Sequence, residues 1–373
     1  MAGVLKLESS IEFLQLLSDK EKEEQIREAI SEVISSKSFI GGELVEKFET
    51  TFAHRVGAKY CVSVNSGYDA LALSIKSLDL AAGARAIVPG HTFAATWYAA
   101  HNNNLKLLPI DIDSTDACMN TRLLPVDINE TDVIMPVHLY GHSAQIEKIT
   151  HLRQKYGCSI IEDCAQSFGT ELNSRRIGSH GNINCWSFYP GKNLGALGDG
   201  GAITTDCPVR YNNLKKIRNY GGDQKYKHDM FGVNSRLDAL QAAILLVNLR
   251  WIERENERRR DIASFYLNNI KNEYIELVRP QTNVNSSWHL FVLRVSNREH
   301  LQNYLEQSGV ASSIHYPYHL PDLPLFNSYK TANLPKSKQH ANQCLSVPIG
   351  PHLTDLEVEK ITQVLNDYQP SIF

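Results

Sequence analysis

The run N-C-W-S-F-Y-P-G-K-N-L-G-A-L-G-D-G-G at 184–201 decides how the chain is read. It begins as a strand. At the two-residue period of an extended chain, Cys185, Ser187 and Tyr189 face one way and Trp186 and Phe188 the other. Pro190 and Gly191 stop the strand and turn the chain, and Lys192 follows at once. A lysine just beyond a buried strand is partly desolvated, so its pKa falls and its amine becomes usable as a nucleophile. Glycines at 195, 198, 200 and 201 let the backbone pass close to a bulky group or take conformations that a Cβ forbids. Taken alone, a lysine beside a Gly-rich turn is most often a solvated loop residue. A P-loop is excluded, because Asn193 stands where that motif needs a Ser or Thr for magnesium.

The rest of the chain supplies the context. Its 373 residues are more than one hydrophobic core usually serves, which predicts two domains. The boundary is expected at 250/251: a large α/β domain over 1–250, with N-terminal helices, and a smaller α+β domain over 251–373. Net charge is −3 with the signs interspersed, so no nucleic-acid surface is expected. The N-terminus has early charges and no apolar core of a signal peptide, and no apolar run is long enough to span a membrane. The seven cysteines are odd in number and contain no C-x-x-C pair, which reads as reduced thiols in a cytoplasmic protein.

Along the chain, helices with one apolar face are expected over 10–36, first on Ile11, Leu14 and Leu17, then on Ile26, Ile30 and Val33. Leu44, Phe48, Phe52 and Val56 predict another helix. Strands at 60–64, 85–89, 105–110, 133–138 and 158–163 then alternate with helices, including one over 92–101 and one capped by Ser143 and ended by Gly157. This alternation argues for a largely parallel sheet. A long helix is expected from near Ser235, with Leu240, Ile244, Val247 and Trp251 on one face and a Glu255/Arg259 pair on a solvated charged face. Beyond about 270 the pattern changes to an alternating strand at 288–295, a segment at 310–316 and a last helix near 354–368.

Three further sites join Lys192. Ser66, Gly67 and Tyr68 end a strand and open a helix, where free backbone N–H groups make an anion site, although a plain capped junction has the same sequence. Asp163 ends the strand I-I-E-D, at the edge where open α/β sheets bind ligands; a lone aspartate there is as often a helix cap. Phe93, in H-T-F-A-A-T, is placed either to lie over a planar ring or to fill the core. Together these are a nucleophilic lysine, an acid for a ring nitrogen, an anion site and a stacking platform. Pyridoxal phosphate requires that set.

The chain resembles the DegT/DnrJ/StrS family of nucleotide-sugar aminotransferases. The resemblance runs from about Phe39 to Tyr266. It is carried by V-H-L-Y-G (137–141), I-E-D-C-A-Q (161–166), S-F-Y-P-G-K-N-L-G-A-L-G-D-G-G-A (187–202), R-N-Y-G (218–221) and G-V-N-S-R-L-D-A-L-Q-A-A (232–243). It implies the aspartate aminotransferase fold (fold type I), with a mostly parallel seven-stranded sheet in the large domain. It also implies that Lys192 bonds covalently to pyridoxal phosphate, that Asp163 holds the ring nitrogen, Gln166 the ring hydroxyl, and that Phe93 stacks on the ring. Ser187 and the Ser66–Tyr68 backbone would hold the phosphate, helped by Asn234 from a neighbouring subunit, which makes a homodimer obligatory. Tyr68 departs from the Thr common in relatives; the change is harmless if this residue gives only its N–H.

The finer resemblance is to the branch that aminates C3 of a dTDP-linked 3-keto-6-deoxyhexose with glutamate as donor. It rests on R-N-Y-G-x-x-x-K-Y-x-H (218–228) and I-H-Y-P (314–317). It implies a hexose pocket of Tyr189, His315 and Tyr316, with Lys225 from the partner subunit. No metal is implied. The alternatives are amination at C4 of a 4-keto sugar, a sugar dehydratase, which the presence of Lys192 argues against, and a cofactor-binding regulatory protein without turnover.

Overall fold

The computed structural model describes residues 10–81, 83–180, 183–224 and 226–370. A seven-stranded sheet forms the larger part, in the order Tyr60–Val64, Gly201–Thr205, Ile183–Ser187, Ser159–Asp163, Val133–Ile134, Arg85–Pro89, Lys106–Ile110. Only Gly201–Thr205 runs against the others: it pairs antiparallel with both neighbours, and the remaining pairs are parallel. The carboxyl ends of six strands therefore meet at one edge, together with the start of the seventh.

The alternation in 184–189 sorts its side chains as the sequence predicts. Trp186 and Phe188 enter the core under the helices Glu43–Val56 and Ala239–Asn269. Cys185 enters the opposite core, under Gly67–Lys76, Ala95–Asn102 and Pro208–Ile217. Phe52 is fully buried and meets Phe188 at 5.2 Å, Trp186 at 5.4 Å and Phe168 at 5.6 Å between ring centroids. Removing that ring leaves a cavity its aromatic neighbours fill only in part, so Phe52→Ala should lower stability by about 3–5 kcal/mol in denaturant unfolding. An unchanged midpoint would show that this face is not close-packed.

The smaller part is a three-stranded antiparallel sheet of Glu276–Leu277, Phe291–Arg294 and Cys344–Val347, flanked by the helices Arg298–Gln307 and Asp355–Asp367. Thr354 and Glu357 close a reciprocal capping box at the start of the last helix. One 31-residue helix, Ala239–Asn269, crosses position 250 without a break. Its first half packs on the large sheet through Ala242 and Ile252, and its second half on the small core through Ile262 and Tyr266.

Several expectations are corrected. Residues 10–19 form no helix: Ile11 bridges Val310 of the small domain and Leu17 sits at φ 54°, so the helix starts only at Lys20, capped by Asp19. Ser143 caps nothing, because its hydroxyl donates to the Ala144 carbonyl and the helix begins at Ile146. Gly157 does end that helix, at φ 74°. The expected strand over 133–138 is regular only at Val133–Ile134, with Val137 bridging Asp163. The segment 310–316 makes single bridges, Val310 to Ile11 and Ser313 to Ser346. Two helices start later than expected, at Ala95 and Ala239. Glu255 pairs with Lys22 at 2.7 Å instead of with Arg259. Arg259 is buried, donates to the Ile349 carbonyl at 2.9 Å, and is pushed down to about 10 by that burial. The seven cysteines are unpaired. Among the described residues no helix is long and apolar enough to cross a membrane.

Candidate active site

At the carboxyl edge of the sheet lies a cavity of ≈ 590 Å³. Ser66, Gly67, Tyr68, Phe93, Asp163, Gln166, Ser187, Tyr189, Lys192, His315 and Tyr316 all line it. Residues nominated from five separated segments thus converge on one space. Lys225 lies outside the described residues. Asn234 is exposed, bridges Asn219 and does not line this cavity.

One wall is the strand–helix junction at Ser66. Its hydroxyl caps the helix Gly67–Lys76 by accepting from the Asp69 N–H at 3.1 Å. The N–H groups of Gly67 and Tyr68 belong to the first turn, which has no intrahelical acceptors for them. The junction is tight: a Cβ on Gly67 would come within 2.6 Å of Ser187 Cβ, and one on Gly201 within 2.3 Å of the Ser66 carbonyl oxygen. Only glycine lets these three segments meet. Ser235, in the 232–243 motif, anchors the helix by donating to Asp69 at 2.6 Å and accepting the Asn65 N–H at 3.0 Å. The Tyr68 hydroxyl accepts from Asn102 at 2.8 Å.

Asp163 is buried at the end of its strand. Burial raises its carboxyl above the ordinary range, against hydrogen bonds from the Thr96 hydroxyl at 2.8 Å and the Ala165 N–H at 3.1 Å and the charge of Lys192. Lys192 sits across the cavity, where burial depresses its amine to about 8 while the Asp163 charge pulls it back up. An amine near neutrality serves as nucleophile and as proton carrier.

Small-domain residues close the far side. The Tyr316 hydroxyl accepts from Gln166 at 2.8 Å, and His315 Nδ1 meets the Ser346 hydroxyl at 2.9 Å. Burial, reinforced by Lys192, lowers His315 to about 4, so it is neutral at pH 7. Phe93 and Tyr189 stay 57% and 59% exposed, as aromatic surfaces facing the opening.

The site also draws on residues the sequence reading missed, Phe13 and His289 on the cavity lining and Thr96 behind Asp163. Phe13 comes from the N-terminal segment and stacks on His315 at 5.7 Å. Thr96 lies three residues beyond Phe93 in a quoted motif, and that nearness was the only signal for it. His289 lines the cavity and is tied to Asn193, the residue after Lys192, at 3.0 Å. Asn193 Nδ2 donates to Asn256 and to the Ser287 carbonyl, so its oxygen must face His289. His289 therefore carries its proton on Nδ1.

Comparison with known proteins agrees with this geometry. The model of the DegT/DnrJ/EryC1/StrS aminotransferase family matches residues 20–366. The chain is 40% identical over 347 residues to dTDP-3-amino-3,6-dideoxy-alpha-D-galactopyranose transaminase of Aneurinibacillus thermoaerophilus, covering 93% of this chain and 96% of that one. It is 39% identical over 347 residues to the erythromycin biosynthesis sensory transduction protein EryC1 of Saccharopolyspora erythraea, covering 92% and 93%. It superposes on the crystal structure of S. venezuelae DesV, solved with a ketimine intermediate, at a TM-score of 0.94 and 34% identity, covering 96% of this chain and 98% of that one.

Proposed function

We propose, because the chain belongs to the DegT/DnrJ/EryC1/StrS aminotransferase family, that it uses pyridoxal phosphate to move an amino group from glutamate to C3 of a dTDP-linked 3-keto-6-deoxyhexose. The observation that carries this reading is Lys192, with its amine near about 8, facing the buried Asp163 in one cavity. The residues fit the cofactor. Asp163 keeps a carboxylate for a protonated ring nitrogen, the Gly67 and Tyr68 N–H groups with Ser187 form an anion cradle, and Phe93 offers a ring face. Pyridoxal phosphate, when bound, supplies the electron sink for the pair left when a proton leaves the amine-bearing carbon. Lys192 carries that proton in both halves of the reaction. Gln166 is assigned to the ring hydroxyl, and Tyr68 contributes its N–H alone, its hydroxyl being engaged by Asn102.

The sugar assignment is supported by the names of the dTDP-hexose transaminase relatives and by the small-domain pair His315 and Tyr316, with Tyr189 opposite. We assign Lys225 and Asn234 to the neighbouring active site of a homodimer. The segment that carries them exposes Tyr220, Phe231 and Val233, Phe231 by 90%, an apolar surface that a second copy covers. The unpaired thiols suit the cytoplasm. A regulatory role without turnover, which the name of the EryC1 relative raises, gives no reason for an amine held near neutrality.

The test is regiochemical. Purified protein with glutamate should aminate a dTDP-3-keto-6-deoxyhexose much faster than the 4-keto isomer, with the product amine located by NMR. His315→Asn should slow the sugar half-reaction at least about 10-fold more than the glutamate half-reaction, since misplacing the hexose by about 1 Å costs roughly 100-fold. Amine at C4 would overturn the regiochemistry and leave the aminotransferase assignment standing. No loss of glutamate's amine to the protein at all would favour the regulatory reading.

A further inference from the structure

We infer that Tyr140, which does not itself line the cavity, is the positioning residue that fixes the hydrogen-bonding polarity and placement of the His315–Tyr316 substrate wall. The inference rests on the proposed sugar pocket. Tyr140 is fully buried, at φ 63°, between the large-domain sheet and the small domain. It works from both ends.

The backbone end orients Gln166. The Tyr140 N–H donates to Gln166 Oε1 at 2.6 Å. A backbone N–H can only donate, so the oxygen of that amide must face it, and Nε2 must face Tyr316. Gln166 Nε2 then donates to the Tyr316 hydroxyl at 2.8 Å. With its oxygen accepting there, the Tyr316 hydroxyl keeps its own proton for the cavity. Burial holds that phenol protonated, well above its ordinary range. The wall therefore presents a donor, suited to a sugar hydroxyl or carbonyl oxygen.

The side-chain end fixes where that donor stands. The Tyr140 hydroxyl makes a short hydrogen bond to the His315 carbonyl oxygen, which can only accept, so its single proton is committed there. His340 Nε2, 2.9 Å from the Tyr140 hydroxyl oxygen, must then be an N–H donor. His91 Nε2 lies 3.2 Å from this hydroxyl and accepts the Tyr316 N–H at 3.4 Å. The peptide joining the two pocket residues is thus clamped on its carbonyl by Tyr140 and on its N–H by His91. Both imidazoles are held neutral by burial, so the clamp keeps one pattern across the working pH range. His91, His340 and Cys344 lie close enough to hold a metal ion. His340 Nε2 is engaged at Tyr140 and His91 Nε2 at the Tyr316 N–H, and the Arg298 cation acts on Cys344, which opposes a second cation.

The test is Tyr140→Phe, which removes the hydroxyl and keeps the ring and the N–H. We expect KM for the keto sugar to rise at least about 10-fold, the glutamate half-reaction to change less than about threefold, and the affinity for the amino-sugar product, by calorimetry, to fall in step with KM. His340→Gln, whose amide still donates, should retain most of the affinity that His340→Ala loses. Equal losses in both half-reactions, or none in either, would overturn the clamp, as would failure of Gln to exceed Ala at 340. If wild-type protein itself does not use the keto sugar, the pocket assignment has failed instead; the clamp is then read on the keto substrate that the wild type does use, and equal losses there overturn it.

Discussion

Lys192→Ala should abolish turnover, by at least about 10⁴-fold, while leaving the fold and the cofactor's phosphate site intact. Two losses combine: the covalent attachment point and the proton carrier. Among the described residues of the chain, Lys192 is the one lysine that lines the cavity. The carboxylate Asp163 is committed to Thr96 and the Ala165 N–H, and burial keeps His289 and His315 unprotonated near neutrality, so none of them substitutes. The check is twofold: steady-state rates, and borohydride treatment followed by mass measurement, which should fix the cofactor to wild type and not to the variant. The pH dependence carries a sign. Burial favours the neutral amine, lowering it from 10.5 to about 8, so at pH 7 roughly a tenth of Lys192 is neutral, against well under a thousandth for an ordinary lysine. Attack by the free amine should rise with pH up to about 8 and level off above it. A fully active alanine variant would sink the mechanism.

Much of this site was legible because its parts sit where strands end. Trp186 and Phe188 alternate against Cys185 and Ser187, and Pro190-Gly191 marks the stop, so the position of Lys192 follows from local pattern. Asp163 closes an apolar run and was found the same way. Lys225 and Asn234 were nominated only through family resemblance. What stayed hidden depends on partners remote in sequence. Thr96 meets Asp163 across 67 residues, His289 meets Asn193 across 96, and the Tyr140 hydroxyl meets His340 across 200. No local period encodes such pairs. The same distance effect explains the error at 10–19. Ile11, Leu14 and Leu17 have helical spacing, but Ile11 is buried by the small domain, Leu17 packs beside Ile26 and Trp251, and Leu14 stays exposed at the cavity, so the apolar residues find separate partners without a helix. Arg259 fits a charged surface pattern, yet carbonyls from remote loops satisfy it in the core.

Asp163→Asn is expected to cut turnover by roughly 10³-fold and, without cofactor, to make the protein more stable. The two effects have one cause. Asn is nearly the same shape and keeps hydrogen-bonding groups for Thr96 and the Ala165 N–H, but it carries no charge. A neutral amide does not hold a ring nitrogen protonated, so the electron sink weakens in both half-reactions equally, unlike the sugar-specific losses expected at His315 and Tyr140. The stability sign follows from linkage. Burial raises the folded-state pKa of Asp163 above its unfolded value, so its ionisation costs the cofactor-free fold stability as pH rises from about 3.8 through that folded value, and the cost persists at pH 7. Removing the charge removes that cost. Cofactor-free Asp163→Asn should therefore melt above wild type at pH 7, with the gap closing below pH 4, while added pyridoxal phosphate should raise the melting temperature of wild type more than that of the variant. A variant that loses activity but melts lower than wild type at pH 7 would make Asp163 a structural anchor rather than a charge held in place for the cofactor.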